Sequence, residues 1–332
     1  GIEARDEEEY LRQYIKELEP ITDIIILAVH QGMPGRQSTI GLTDVERNLY
    51  KDILLAQNVP GVDIIVTGHA HQGTEKALVS NGTIIVSTNA TATELGKLQV
   101  MFDTEKKKIV SHSNELITIY DDELEDDADM LREITFWQKE VDQVAKVPIV
   151  SSTKKLVRAY GKESNMGNLF ADAIEAFDPR IDIAVVNSGA LRQDIKPGTV
   201  TKGDLISAFP FPNTVVMTKL KGSQVLKIFN HAAGMTNGIL QVSKNAKYSF
   251  SPRNKAHEIW IKGKPLKNDD EYWVAAPNFV TQGGDGYWEF QNSIEYIDTG
   301  VLIVDAAEYF LQDMEVYEPK YEGRVLVIDS EI

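Results

Sequence analysis

The stretch VDIIVTGHAHQG, residues 62–73, joins a continuous apolar run to a glycine and two histidines. A similar run, DIIILAVH at residues 23–30, also ends at a histidine. Between the two runs, LTDVERNLYKDILLAQ begins with a capping box, Thr43 to Glu46, and carries apolar residues at helical spacing. Continuous apolar runs are typical of strands that are buried on both faces. We therefore expect a right-handed βαβ unit with parallel strands.

Three histidines, His30, His69 and His71, follow the two predicted strands. Ligands of open α/β sheets bind beyond the carboxyl ends of the parallel strands, so we expect the three imidazoles at one edge of the sheet. Histidine nitrogen binds zinc at about 2.0–2.1 Å and also suits manganese or iron. Residues i and i+2 that leave a strand point the same way, and Gly68 leaves room for them. The alternative is a loop whose histidines make ordinary hydrogen bonds.

The rest of the chain predicts two domains. An amphipathic helix at residues 6–19, the strand TIIVST and the antiparallel pair LGKLQVMF and KIVSHSNELITIY complete a first domain at residues 1–120. Residues 121–146 are acidic and helical, which indicates an interdomain linker helix; a surface helix of one larger domain is the alternative. Mixed helix and strand patterns at residues 147–332 predict a second domain.

The composition excludes several classes of partner. The 332 residues carry a formal net charge of −16, so the protein as a whole would repel a nucleic acid polymer or an anionic membrane surface. Without cysteine there are no disulfides and no thiolate metal sites. No apolar run reaches the length of a membrane span, and GIEARDEEEY does not have the pattern of a signal peptide. A small anion can still bind a local cluster of arginine or lysine.

Two loops of the second domain place polar side chains next to aromatic ones. In NSGALR, Asn187 and Arg192 follow the end of an apolar strand. An arginine at this position can bind an anion through two hydrogen bonds, and the alternative is a solvated surface group. FPFPNT holds Phe211 and Asn213 in a loop stiffened by two prolines, so the ring is a candidate for stacking or for the core.

A glycine-rich loop and two cations complete the candidate site. NFVTQGGDGYWEF places Phe279 before glycines that carry Asp285, and the same glycines would suit a tight turn. Arg158 and Lys162 precede the helix near ESNMGN. One interpretation is that they bind an anionic ligand, and the alternative is that they only offset the negative charge of the surface. Two rings and a carboxylate that can hold a sugar diol suit a nucleoside.

Six stretches in this order, DIIILAVHQG, TGHAHQ, NMGNLFADAI, NSGALRQDI, FPFPNTVVMTKLKG and NFVTQGGDGYWEF, resemble the bacterial 5'-nucleotidase and UDP-sugar hydrolase family, also called the 5'-nucleotidase/2',3'-cyclic phosphodiesterase family. The resemblance implies an α/β (α+β) fold, in which a calcineurin-like metallophosphatase β-sandwich flanked by helices precedes a mixed α/β nucleoside-binding domain. It implies metal-dependent hydrolysis of nucleotide phosphoesters with two divalent ions, zinc, manganese or similar. It also implies a periplasmic or cell-surface location.

The resemblance assigns roles to particular residues. His30 and His69 match ligands of one metal, and His71 matches a position that commonly ligates the other. The implied substrate contacts are two stacking rings, two polar side chains, a ribose-binding carboxylate and three cations: Phe211, Phe279, Asn187, Asn213, Asp285, Arg192, Arg158 and Lys162. Relatives carry arginine where this chain has Lys162, so the bidentate contact of an arginine is not expected there.

In the family, an Asp-x-His motif, a bridging aspartate and a catalytic Asn-His pair precede the stretch that resembles DIIILAVH, and residues 1–22 of this chain contain none of these motifs. Three histidines without a bridging carboxylate cannot hold two metals about 3.5–4 Å apart. We therefore expect a C-terminal fragment of a longer enzyme that holds one ion or none, with its first half of the metallophosphatase domain upstream or on a second polypeptide.

Two other functions stay open at this stage. One is a nucleotide-binding module without catalysis. The other is a family relative that acts on UDP-sugars, cyclic nucleotides or a sulfur-containing substrate. Both retain a small molecule as the expected partner.

Overall fold

The computed structural model describes residues 5–31, 42–235, 238–251 and 255–328. The chain divides into two compact units, Gly1–Asp127 and Ala128–Ile332. The predicted linker at residues 121–146 contains a helix, Ala128–Ala145, that groups with the second unit. Among the described residues, no helix has both the length and the apolar character needed to cross a bilayer.

The first unit contains the predicted βαβ arrangement and the predicted hairpin. Its elements are α1 (Glu7–Leu18), β1 (Ile26–Ala28), α2 (Asp44–Asn48), α3 (Tyr50–Asn58), β2 (Ile64–Val66), β3 (Leu78–Ser80), β4 (Thr83–Val86), β5 (Glu94–Asp103) and β6 (Lys108–Thr118). The sheet order is β1-β2-β4-β3, with β1, β2 and β4 parallel and β3 antiparallel to β4. Strands β5 and β6 form an antiparallel pair.

The capping box at Thr43 is present, but the helix that it starts is shorter than expected. The Thr43 hydroxyl accepts from the backbone N–H of Glu46, and the Glu46 carboxylate accepts from the backbone N–H of Thr43 at 2.7 Å. At Leu49 the backbone leaves the helical region (φ −104°, ψ 24°), and α3 begins one residue later. One predicted helix is therefore two.

The sheet of the first unit is covered on both faces. Ile15 of α1 and Leu55 of α3 pack with Ile65 and Ile85 of the sheet on one face. On the other face, Ile64, Ile84 and Val86 pack with Leu98 and Ile109 of the hairpin. Each fully buried aliphatic side chain stabilises the fold by about 1.5–3 kcal/mol.

Strand β1 departs from the prediction of burial on both faces. Ile26 is 60% exposed, whereas Ile65 in the neighbouring β2 is fully buried. Among the described residues β1 pairs with β2 alone, so it lies at the edge of the sheet. The hairpin residues that cover the second face pack against β2 and β4 instead.

The second unit is a mixed α/β domain, as predicted. Its elements are α4 (Ala128–Ala145), β7 (Pro148–Ser152), α5 (Asn165–Ala176), β8 (Ile183–Asn187), β9 (Gly198–Thr201), α6 (Lys202–Ala208), β10 (Thr214–Lys221), α7 (Gly222–Ala233), β11 (Leu240–Val242), β12 (Ala246–Phe250), β13 (Ala256–Ile261), β14 (Lys264–Pro265), β15 (Glu271–Pro277), α8 (Asn278–Thr281), β16 (Glu295–Leu302), α9 (Ile303–Leu311), β17 (Val316–Tyr317) and β18 (Val325–Val327). They form sheets in the orders β11-β8-β15-β10-β16, β14-β13-β12-β18 and β17-β7-β9.

The central sheet brings distant loops to one edge. Strands β8 and β15 are parallel, so their carboxyl ends, Asn187 and Pro277, lie on the same side. Strand β10 runs antiparallel to β15, with Val215 opposite Pro277, and therefore begins at that side. The residues after β8, after β15 and before β10 consequently meet beyond this edge, where α/β sheets bind ligands.

Candidate functional site

The first unit brings two of its histidines together. Nδ1 of His69 lies 3.3 Å from Nε2 of His30, and the two rings meet edge to face with centroids 5.1 Å apart. Both residues follow parallel strands, β1 and β2, which accounts for their proximity. Both are exposed, so a ligand from solvent can reach them.

Gly68 is required by the position of His30. A Cβ placed on Gly68 would lie 3.1 Å from Nδ1 of His30, closer than ordinary van der Waals contact. Any larger side chain at this position would press against the imidazole. The room that the sequence predicted at Gly68 is therefore used by the neighbouring histidine.

His71 stays a predicted metal ligand, but the extended-strand geometry that would align it with His69 is absent at these two residues. Strand β2 ends at Val66, and His69 and His71 have left-handed backbones with φ of 75° and 55°. Their side chains therefore do not follow the alternation of an extended strand. Across the described ranges, no group of three or more histidine, aspartate or glutamate side chains is arranged to hold a metal ion.

The two facing ring nitrogens of His30 and His69 suit a divalent metal ion. Two nitrogens bound to a tetrahedral zinc at about 2.0–2.1 Å lie about 3.4 Å apart, close to the spacing of this pair. An N–H···N hydrogen bond accounts for the same distance. The pair therefore fits two ligands of one ion, and their role as ligands stays a prediction.

Asp52 was not singled out from the sequence. It lies on α3, is fully buried, and accepts from Nε2 of Gln31, the residue after His30, at 3.4 Å. Burial raises the pKa of its carboxyl. Its Oδ2 has no hydrogen-bond partner within the described part of the chain. No sequence motif marks it, because its neighbourhood forms only in the fold.

In the second unit, Asn187 and Asp285 lie together although 98 residues separate them in sequence. Nδ2 of Asn187 donates to Oδ2 of Asp285 at 3.3 Å. Asn187 is buried, and its Oδ1 is among the buried side-chain atoms that lack a hydrogen-bond partner in the described residues. The pair thus combines a carboxylate with an amide oxygen that can accept a further hydrogen bond.

Asn278 joins the loops that carry the two candidate stacking rings. Its Oδ1 accepts from Nδ2 of Asn213 at 2.7 Å and from the backbone N–H of Phe279 at 2.8 Å. Asn213 lies two residues after Phe211. Both rings are partly exposed, Phe211 by 37% and Phe279 by 43%. Asn278 was not predicted from the sequence, although its place directly after β15 matches the ligand-binding edge.

The FPFP loop contains one core ring and one exposed ring. Phe209 is fully buried and packs against Phe170, with centroids 5.3 Å apart. Phe211 meets Phe209 edge to face at 6.2 Å. Cζ of Arg192 lies 5.3 Å from the centroid of Phe211, in cation–π range. Phe209 therefore takes the core position and leaves Phe211 at the surface beside an arginine.

Residues 143–292 match the family model described as "5'-nucleotidase, C-terminal domain". This segment is a 5'-nucleotidase C-terminal domain. All of the candidate substrate contacts lie within it, whereas the three histidines lie outside it. The predicted family resemblance and fold class are confirmed.

Curated relatives extend the similarity to the first unit. The trifunctional nucleotide phosphoesterase protein YfkN of Bacillus subtilis is 28% identical over 315 residues, covering 86% of this chain and 21% of that protein. Human 5'-nucleotidase is 27% identical over 326 residues, covering 82% of this chain and 56% of that protein. The chain thus spans at most about half the length of these two relatives.

Solved structures show the same fold. The 5'-nucleotidase precursor of Thermus thermophilus superposes with a TM-score of 0.78 at 22% identity, covering 98% of this chain and 68% of that chain. The sulfate thiohydrolase SoxB of Thermus thermophilus gives 0.73 at 19% identity, covering 99% and 59%. At these identities the likeness concerns the fold alone.

The remaining cations of the 5'-nucleotidase C-terminal domain differ in their surroundings. The backbone N–H of Arg158 donates to Oδ1 of Asp194 at 3.0 Å, and Nζ of Lys155 lies 2.8 Å from Oδ2. Although partial burial acts in the opposite direction, Lys155 and Arg158 lower the pKa of Asp194. Lys162 is exposed, and its carbonyl accepts from Nε2 of Gln241 at 2.9 Å. Asp194 thus partly neutralises Arg158.

His231 contacts the candidate site, whereas His112 and His257 have other surroundings. Its Nε2 lies 2.8 Å from the carbonyl oxygen of Asp285. His257 lies 3.2 Å from the hydroxyl of Ser251, and His112 is exposed on β6. Only the tertiary structure distinguishes His231, because α7 and the glycine-rich loop are far apart in sequence.

Proposed function

We propose that the protein carrying this chain hydrolyses nucleotide phosphoesters, and that its second unit binds the nucleoside. The observation that carries the proposal is the Asp285 carboxylate, held beside Asn187 at the ligand-binding edge of the central sheet. A carboxylate accepts hydrogen bonds from both hydroxyls of a ribose diol. The names of the curated relatives, nucleotide phosphoesterase and 5'-nucleotidase, support the same reaction.

The side chains of the second unit have separate roles in this proposal. Phe211 and Phe279 stack on the base, and an aromatic pair of this kind contributes about 0.5–1.5 kcal/mol beyond burial. Asn187 and Asn213 make polar contacts near it, and Asp285 binds the ribose hydroxyls. The local cations attract the phosphate despite the net charge of −16; they are Arg158, Lys162 and Arg192.

The first unit supplies metal ligands in this proposal. His30 and His69 hold one divalent ion, and His71 belongs to the surroundings of a second; zinc and manganese are the favoured ions. Bound divalent ions polarise a phosphoryl oxygen and activate water as a nucleophile. The active form then includes the first half of the metallophosphatase domain, and we place it in the periplasm or at the cell surface.

The test is phosphate release from AMP with added manganese or zinc. This chain is compared with a longer protein that includes the first half of the metallophosphatase domain. We expect release by the longer protein and AMP binding by both. Binding of AMP without release by either protein would instead favour a nucleotide-binding module. A panel with UDP-glucose and 2',3'-cyclic AMP separates the nucleotidase from relatives with other substrates.

A further inference from the structure

His231 lies in the last turn of α7 and contacts the backbone of the loop that carries Asp285. Its Nε2 lies 2.8 Å from the carbonyl oxygen of Asp285, and a carbonyl only accepts. Nε2 therefore carries a hydrogen and donates it. His231 is half-buried, so the contact is partly shielded from water.

The loop that receives this hydrogen bond has an unusual backbone. Asp285 has φ of 53°, in the left-handed region that residues other than glycine rarely adopt. It lies between Gly283 and Gly286, whose φ values are 93° and 83°. Such a conformation persists when surrounding contacts hold it.

The imidazole of His231 packs against the same loop. A Cβ placed on Gly286 would lie 3.0 Å from Cε1 of His231, so only glycine allows this approach. The ring of His231 also meets the buried ring of Tyr287 edge to face, with centroids 4.7 Å apart. His231 thus contacts three consecutive loop residues, through the carbonyl of Asp285, the close approach to Gly286 and the ring of Tyr287.

We propose that His231 is a positioning residue that holds the Asp285 carboxylate in the orientation needed to bind the nucleoside diol. This inference rests on the proposed function. His231 touches the backbone of Asp285, while Asn187 touches its carboxylate. The two contacts together fix both ends of the aspartate.

Three substitutions separate the hydrogen bond from the packing. His231→Gln keeps an amide N–H at about the reach of Nε2, whereas His231→Asn is one methylene shorter. His231→Phe keeps a ring against Gly286 and Tyr287 and removes the donor. Calorimetric titration of the full chain gives the affinity for adenosine and for 2',3'-dideoxyadenosine, which lacks the ribose hydroxyls. The melting temperature of each variant shows whether it is folded.

We expect His231→Asn and His231→Phe to weaken adenosine binding about three- to tenfold, and His231→Gln to retain most of it. Binding of dideoxyadenosine should not change, because it does not use Asp285. In an Asp285→Asn background, His231→Phe should add no further loss.

Other outcomes overturn the inference. Equal losses for both nucleosides would show a general structural role, and unchanged adenosine binding by a folded His231→Phe protein would show that the contact is dispensable. Absence of adenosine binding by the unsubstituted chain would remove the proposed function itself, so the two failures are distinguishable.

Discussion

Oδ1 of Asn278 accepts from the side chain of Asn213 at 2.7 Å, so one amide oxygen ties the end of β15 to the start of β10. The same oxygen accepts from the backbone N–H of Phe279 at 2.8 Å. The bond therefore sets the separation of the loops that carry Phe211 and Phe279. A site that sandwiches a flat base depends on that separation.

Replacing Asn278 should weaken nucleoside binding, although Asn278 is not among the proposed contacts of the nucleoside. Asn278→Ala removes the shared acceptor, and we expect adenosine affinity to fall about three- to tenfold, because the loops lose a partly buried hydrogen bond. Asn278→Asp keeps an acceptor oxygen and should lose less. Titration calorimetry gives both affinities; equal affinities for the alanine variant and the unsubstituted chain would contradict this role.

The stacking role of the exposed rings predicts a selective kinetic effect. In a protein that carries the complete metal centre, Phe279→Ala or Phe211→Ala should raise KM for AMP about tenfold, because each ring loses its contact with the base. KM for a generic aryl phosphate should change far less. Tyr309→Ala, which removes an exposed ring on α9, is the matched control. A similar increase for both substrates would argue against stacking.

Gly68 gives a test of the metal ligands. Gly68→Ala would place a methyl group 3.1 Å from Nδ1 of His30 and displace the ring from His69. If the two histidines bind one ion, zinc affinity should fall about 10- to 100-fold, as for other changes around a metal ligand. Gly161→Ala adds its methyl group to open space and should leave the affinity unchanged. Titration with zinc or manganese measures both variants, and equal affinities would contradict ligation by this pair.

The sequence predicted the parts of the fold that local patterns encode. The capping box at Thr43, the apolar runs and the antiparallel pair LGKLQVMF and KIVSHSNELITIY all correspond to elements that the structure contains. Apolar runs do not report which strand lies at the edge, so the exposure of Ile26 was not predicted. Burial depends on what packs against a strand, and those partners come from elsewhere in the chain.

The candidate site was predictable only in part for the same reason. Strand ends indicated His30, His69 and Asn187, because parallel strands deliver their last residues to one edge. The left-handed backbone at His69 and His71 has no signal in GHAH, since residues other than glycine rarely adopt it. Asn278 and His231 act on the site through hydrogen bonds between distant segments, which a single sequence does not reveal.

Glu175 predicts how the stability of the second unit depends on pH. Its side chain is buried on α5, and Oε2 lacks a hydrogen-bond partner among the described residues. Burial raises its pKa above the usual 4.5; a hydrogen bond with Ser243 acts in the opposite direction, and the charge of Asp172 adds to the increase. The folded state therefore binds this proton more tightly than the unfolded state.

This difference in proton binding fixes the sign of the effect. Because the folded state holds the proton to higher pH, Glu175 lowers the free energy of unfolding as the pH rises from about 4.5 to the raised folded pKa. Glu175→Gln carries no titrating proton. The melting temperature of the variant minus that of the unsubstituted chain should therefore increase across this pH interval and stay at the increased value at higher pH. Glu315→Gln, at an exposed position, is the matched control and should show no such trend. A difference between Glu175→Gln and the unsubstituted chain that stays constant from pH 4 to pH 8 would mean that Glu175 titrates alike in both states.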